Sequence, residues 1–216
     1  MSEFEKSALN KVVRGPNRAV YSKADVYKIV DSHFLCHLAY VYEGTPIVIP
    51  TGYGRKGDVL YVHGSSKNRM LNYLLENESV SATITHMDGI VLAKSVFHHS
   101  FNYRSAVLFG KPRLVSNEAE KMDALKIITD NIIEGRWEEA RYPNSKEMKA
   151  TMVMAIDIND ASAKIRAEGA NDDIVDADLE VWTGVLPLTV TVGQPEPNHD
   201  CNPSVEIPNS VVDFNF

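Results

Sequence analysis

The stretch Leu60-Tyr-Val-His-Gly-Ser-Ser-Lys-Asn-Arg-Met-Leu71 decides how the chain is read. Its first part, Val59 to His63, is β-branched and aromatic, the composition of a strand. Gly64-Ser65-Ser66 breaks that pattern, and Met70, Leu71, Leu74 and Leu75 then recur at helical spacing. A strand that enters a helix through small residues brings together unpaired N–H groups, two hydroxyls, and the cations Lys67 and Arg69. That set suits a phosphate, arginine most of all because its fork matches phosphate oxygens. A capped helix with solvated basic residues fits the same text, and spacing leaves both open because no glycine-rich phosphate loop is present.

Upstream, Ser22 is a good N-cap and Asp25 a favourable first-turn acid. Val26, Ile29, Val30 and Phe34 extend a helix from there. Leu38–Tyr42 and Pro46–Pro50 read as two strands around a tight turn at Glu43-Gly44-Thr45. Gly52, Gly54 and Gly57 mark the next turn, ahead of a third strand from Val59 to His63. Downstream, Val80–His86 and Ile90 to about Phe97 read as a hairpin turning at Asp88-Gly89. A sixth strand runs from Arg104 to Val115. Ser116 or Asn117 caps a helix whose stripe is Met122, Leu125, Ile128 and Ile132, and a short helix is expected before Lys149. Thr151–Asp157 is a final core strand, and Ala161–Ala167 a last strand or its edge. Six to seven short strands with peripheral helices predict a small β-barrel of the α+β class, mainly β. Residues 1–168 form that barrel. From Gly169 the text turns acidic and then rich in proline and asparagine, so 169–216 is expected as an extended tail over the barrel or a partner subunit.

Composition narrows the partners. The chain has 216 residues, 44% hydrophobic and 24% charged, the mix of a folded domain that can bury a core. Its 22 basic and 29 acidic side chains leave a formal charge of −7, which argues against a general nucleic-acid binder. No run approaches a membrane span. The first residues lack the apolar core of a signal peptide. The expected setting is cytoplasmic. Cys36 and Cys201 stand far apart in no metal-type spacing, and Cys36 reads as a buried small hydrophobe.

Two further segments could carry chemistry. His98-His99-Ser100-Phe101-Asn102-Tyr103-Arg104-Ser105 sets hydrogen-bonding and titratable groups beside an apolar strand. Adjacent histidines on a strand point to opposite faces, so no metal pair is expected there. Arg104 is what recognition of an anion or a flavin edge would use. Glu180-Val-Trp-Thr-Gly-Val-Leu-Pro187 carries Trp182, an anchor for a hydrophobic patch or an aromatic wall beside a flavin ring. There is no Gly-x-Ser-x-Gly elbow and no Gly-x-Gly-x-x-Gly after a strand.

Taken with Thr85-His-Met-Asp-Gly-Ile-Val-Leu92, Phe97–Ser105 leading to Phe109-Gly110, and Val181–Pro187, the opening stretch resembles the pyridoxamine 5′-phosphate oxidase-related family. Within it the chain is similar to the nitroimidazole-resistance-type and flavin-nucleotide-binding branch. The resemblance spans about Ser22 to Leu188. It implies a split β-barrel and a homodimer with FMN at the subunit interface. It also implies a flavin-dependent oxidoreductase moving electrons from NAD(P)H or another donor to a small organic acceptor. On that resemblance His63, Gly64, Ser65, Ser66, Asn68 and Arg69 hold the phosphate. Ser100, Asn102, Tyr103, Arg104 and Ser105 take the ring and ribitol side, with Thr51 and Trp182 as further contacts. No catalytic residue and no metal ligand is named. The oxidase's serine-arginine-lysine run is replaced by Lys67-Asn68-Arg69, and its arginine-rich C-terminal segment has no counterpart. Pyridoxamine phosphate oxidation is therefore a lesser alternative, beside a flavin sensor without turnover and a barrel that has changed ligand to haem or a deazaflavin.

Overall fold

The computed structural model describes residues 2–215. Its strands are β1 (Ala19–Val20), β2 (Leu35–Tyr42), β3 (Thr45–Lys56), β4 (Val59–Ser65), β5 (Val80–Leu92), β6 (Ser100–Leu114), β7 (Thr151–Arg166) and β8 (Gly184–Pro187). The helices are α1 (Lys23–Asp31), α2 (Arg69–Leu74), α3 (Glu118–Ile132), α4 (Ser145–Ala150) and α5 (Asn209–Val212). All strand pairs are antiparallel, and β7-β4-β3-β2-β5-β6 closes into a ring because β7 also pairs with β6. This is the predicted split barrel, and closure leaves the main strands without a free edge over most of their length.

The ring is packed, not hollow. Cys36, Leu38 and Tyr40 of β2, Tyr53 of β3, Leu60 and Val62 of β4, and Met154 and Ile156 of β7 meet inside it. Val26, Ile29 and Val30 of α1 and Met70, Leu71 and Leu74 of α2 join the same cluster. The helical spacing of those residues thus points them at one core. A second cluster lies outside the ring, where Ala124, Leu125 and Ile128 of α3 cover Tyr61, Val153 and Ala155. Gly54 permits that contact: a Cβ there would stand 2.7 Å from the Ile127 carbonyl oxygen.

Several boundaries differ from the sequence reading; β5 ends at Leu92 and not near Phe97, and β6 begins at Ser100 and not at Arg104. Gly52 and Gly54 do not turn the chain; β3 runs through them to Lys56, and only Gly57 takes a left-handed φ of 60°. Asp88-Gly89 is not a hairpin turn but a bulge inside β5, between Met87 and Gly89. A bulge needs the same small, flexible text as a turn, so local signals do not separate the two. The segments at Thr151–Asp157 and Ala161–Ala167 are one 16-residue strand, β7. The Glu43-Gly44 turn stands as read, with φ of 46° and 78°.

In the tail, β8 pairs with β5 from Gly89↔Pro187 to Leu92↔Gly184, so this part of the chain lies against the barrel. Among the described residues no helix is long and apolar enough to cross a membrane.

Candidate functional site

The ring is split on one side. Strand β3 pairs with β2 from Thr45 to Gly52 but with β4 only from Tyr53 to Lys56. Beyond the pair Tyr53↔Val62 the two strands part. Thr51 and the His63–Ser65 end of β4 therefore stand on opposite lips of one opening, with His63, Gly64 and Ser65 held only by β7 through Val153, Met152 and Thr151.

The chain leaving β4 is tied locally. Ser66 N–H donates to the Ala150 carbonyl at 2.8 Å, Lys67 N–H to Ser65 Oγ at 3.2 Å, and Asn68 N–H to the Ser65 carbonyl at 2.8 Å. Helix α2 starts at Arg69, three residues later than Ser66, because Asn68 is the N-cap and its side-chain oxygen accepts from Leu71 N–H. Arg69 lies over the Tyr42 ring, 5.0 Å from its centroid. Neither the Lys67 ammonium nor the Arg69 guanidinium has a hydrogen-bond acceptor among the described residues. His63, Ser65, Ser66, Lys67, Asn68 and Arg69 are all exposed. These residues from His63 to Arg69 thus lie exposed at one lip of the opening. Although the His63 side chain reaches solvent, partial desolvation by the surrounding chain lowers its pKa and favours the neutral imidazole.

The second set of residues sits elsewhere. Ser100, Asn102, Tyr103, Arg104 and Ser105 lie at the start of β6, where Tyr103 pairs with Arg166 at the far end of β7. Ser65 pairs with Thr151 at the other end of that strand. Fifteen steps of β-strand separate the two, a contour of roughly 50 Å. Three members are engaged within the protomer. Asn102 is buried, its side-chain oxygen accepting from Arg166 Nη1 at 2.6 Å and from Glu168 N–H at 3.2 Å. Arg104 makes a two-bond ion pair with Asp88, at 3.0 and 2.8 Å. Ser105 Oγ donates to the Lys164 carbonyl at 3.5 Å.

Trp182 belongs to this second end. It is 68% exposed, and its ring lies so flat on Gly184 that a Cβ there would meet ring carbons at 2.7 Å. The loop carrying it is fastened to the β5–β6 connection: Lys94 N–H donates to Asp172 Oδ1 at 2.8 Å, and His98 Nε2 lies 3.2 Å from Asp173. Val96, Phe97, Ile174 and Val175 are each more than 80% exposed around it. An apolar patch of that kind marks a surface meant to be covered.

Sequence reading missed a third feature. His33 and His86 rings stand 5.0 Å apart, beside a cavity of about 570 Å³ bounded by Met87, Asp88, Arg104 and Leu188. The signal was faint: His86 and Arg104 are cross-strand neighbours, which only the β5–β6 register reveals. Burial lowers the pKa of both imidazoles, helped at His33 by the rings of His86 and His37 and at His86 by the Arg104 charge.

Comparison with known proteins bears on this arrangement. The family model for pyridoxamine 5′-phosphate oxidase matches residues 22–165. The flavocytochrome Anf3 from Azotobacter vinelandii is 35% identical over 97% of both chains, with a TM-score of 0.91. An FAD and haem binding protein from Mycobacterium smegmatis is 34% identical over 91% of this chain and 96% of its own, with a TM-score of 0.86. A 5-nitroimidazole antibiotic resistance protein from Bacteroides thetaiotaomicron shares the fold at 21% identity, covering 68% of this chain and 86% of its own, with a TM-score of 0.57. The search of curated proteins returns no match. With the split ring in place and the family match spanning nearly the whole of it, the chain belongs to the pyridoxamine 5′-phosphate oxidase family.

Proposed function

We propose that the protein binds a flavin at the opening between β3 and β4 and works as a flavin-dependent oxidoreductase. The observation that carries this reading is the open lip itself. His63, Gly64, Ser65, Ser66, Asn68 and Arg69 surround the end of β4, Thr51 faces them across the split, and two cations there lack acceptors. An isoalloxazine supplies the redox chemistry, and the chain supplies position, phosphate charge neutralisation and exclusion of water.

The flavin site is read as shared between two protomers. The Ser100–Ser105 end of β6 lies a long strand away from the phosphate lip of its own chain, so both can serve one flavin only from different copies. The exposed apolar patch at Phe97, Ile174 and Trp182 gives a second copy something to cover. In this homodimer Tyr103, Arg104 and Trp182 of one protomer close the opening of the other. Asn102 acts behind them, holding Arg166 and the Glu168 backbone.

FMN is the simplest flavin for this lip. Resemblance to a protein named for FAD favours the dinucleotide as the second form, and resemblance to two named for flavin and haem together favours a second, haem cofactor. Electrons from NAD(P)H or another donor would pass to a small acceptor.

The purified protein is expected to carry flavin absorption that dithionite bleaches, with the released cofactor's mass deciding FMN or FAD. A protein that is colourless and takes up neither added flavin sinks the reading. A yellow protein that oxidises no donor in the presence of acceptors is the sensor without turnover.

A further inference from the structure

Lys67 and Arg69 both bring charge to the opening, but only Arg69 is given a direction. It is the first residue of α2, and its guanidinium lies 5.0 Å from the centroid of the Tyr42 ring, at the end of β2. Tyr42 is fixed in turn by Tyr73, whose ring meets it edge-on with centroids 4.5 Å apart. Tyr73 stands one helical turn beyond Arg69, so both press on the same strand end from one face of α2. Asn77 completes the contact: its side-chain oxygen accepts from Val41 N–H at 2.8 Å, and its amide nitrogen donates to the Val41 carbonyl at 3.1 Å.

The topology gives this stack its place. Helix α2 follows β4, which forms one lip of the opening, whereas Tyr42 pairs with Thr45 where β2 turns into β3, the other lip. The stacked guanidinium therefore reaches from the first lip toward the second. A cation–π contact uses the flat face of a guanidinium and leaves its edges, which carry the N–H groups. None of those N–H groups has an acceptor among the described residues. An arginine that has already lost side-chain freedom, yet keeps its donors free, is prepared for an anion with several oxygens.

We propose that Tyr42 is a positioning residue for the flavin phosphate: its ring holds the Arg69 fork at the opening with the N–H edges free. The assignment rests on the flavin reading above and adds to it the residue that aims one of its phosphate ligands. Tyr42 touches no phosphate in this role. It acts only through Arg69, so it has no bearing on a flavin that lacks the phosphate. Lys67, a point charge on a flexible stem, has no comparable support.

The test measures dissociation constants of FMN and of riboflavin, by flavin fluorescence, on the full chain freed of flavin by dialysis. The wild type is expected to favour FMN. Tyr42→Leu is expected to weaken FMN about two- to fivefold, the size of a partly solvated cation–π contact, with riboflavin unchanged. Tyr42→Phe, which keeps the ring face, is expected to bind both as the wild type does. Arg69→Ala is expected to weaken FMN about tenfold or more, again sparing riboflavin, and Tyr42→Leu added to it is expected to change nothing further. Tyr42→Met, a longer apolar side chain without a ring face, replaces Tyr42→Leu should circular dichroism show the latter unfolded. Unchanged FMN affinity in these ring-free variants overturns the assignment, as does an equal loss of both flavins. So does a loss that persists in the Arg69→Ala background or is shared by Tyr42→Phe. A wild type that binds both flavins equally removes the phosphate role of Arg69, and Tyr42 with it, leaving a flavin protein. One that binds neither removes the flavin reading itself.

Discussion

Arg104 and Asp88 face each other across β5 and β6 as a two-bond ion pair, Nε to Oδ2 at 3.0 Å and Nη2 to Oδ1 at 2.8 Å. The bulge at Met87/Gly89 is what swings Asp88 into reach, so the irregularity in β5 and the arginine on β6 form one device. Asp88 fixes the guanidinium's direction and leaves its other N–H groups for a ligand.

This separates two roles for Arg104 by experiment. Both side chains keep more than a third of their exposure, so the pair adds only about 0.5–1 kcal/mol to stability. Arg104→Ala and Asp88→Ala should therefore lower the urea midpoint equally and slightly. Flavin affinity should fall far more for Arg104→Ala, since Asp88→Ala leaves the cation in place. Equal affinities for the two variants would make Arg104 a structural residue only.

Asn102 predicts the opposite balance. It is buried against Arg166, itself only 4% exposed, and accepts the guanidinium's Nη1 at 2.6 Å. Asn102→Ala leaves a buried charge short of an acceptor, at a cost of about 2–3 kcal/mol. Chemical denaturation should show that loss in the flavin-free protein. Asn102→Asp, which keeps the acceptor, should recover most of it.

How much of this was legible follows from what each feature depends on. The core was readable because Val26, Ile29 and Val30, or Met70, Leu71 and Leu74, declare their faces by local spacing alone. The His63–Arg69 stretch stood out for the same reason: it is continuous in the chain, so its small residues and cations are visible without knowing the register. The Asp88-Gly89 bulge was not, because its text is also that of a hairpin and only the pairing of β5 with β6 and β8 decides. The engagement of Asn102 by Arg166, 64 residues on, and the His33–His86 contact, 53 residues apart in sequence, depend on register and had no local sign. Sequence therefore singled out segments by their local text and missed which side chains within them are engaged by distant partners.

The two cysteines should differ sharply in reactivity. Cys36 is wholly buried in the ring core, and burial pushes its thiol up to about 12. Cys201 is exposed in the tail. Near pH 8 a thiol reagent should modify one cysteine promptly and the second only on unfolding, since the thiolate is the reacting form. Cys201→Ser should remove the prompt reaction. Prompt modification of that variant would mean that the barrel opens around β2 in its native state.

Mild acid should destabilise the protein through His33 and His86. Burial is the main reason both imidazoles resist protonation, reinforced at His33 by the rings of His86 and His37 and at His86 by the Arg104 charge. Each folded-state pKa lies below the ordinary 6.5, so in the window beneath 6.5 the unfolded chain binds protons that the folded chain refuses. Stability is then fully present above that value and is lost as pH falls through the lowered folded pKa. Urea midpoints should begin to drop as pH falls below about 6.5, ahead of the range where carboxylates titrate. His33→Asn with His86→Gln should flatten that slope while changing the midpoint at neutral pH far less. An undiminished slope in the double variant would move the acid sensitivity to His63, whose pKa is likewise lowered by burial.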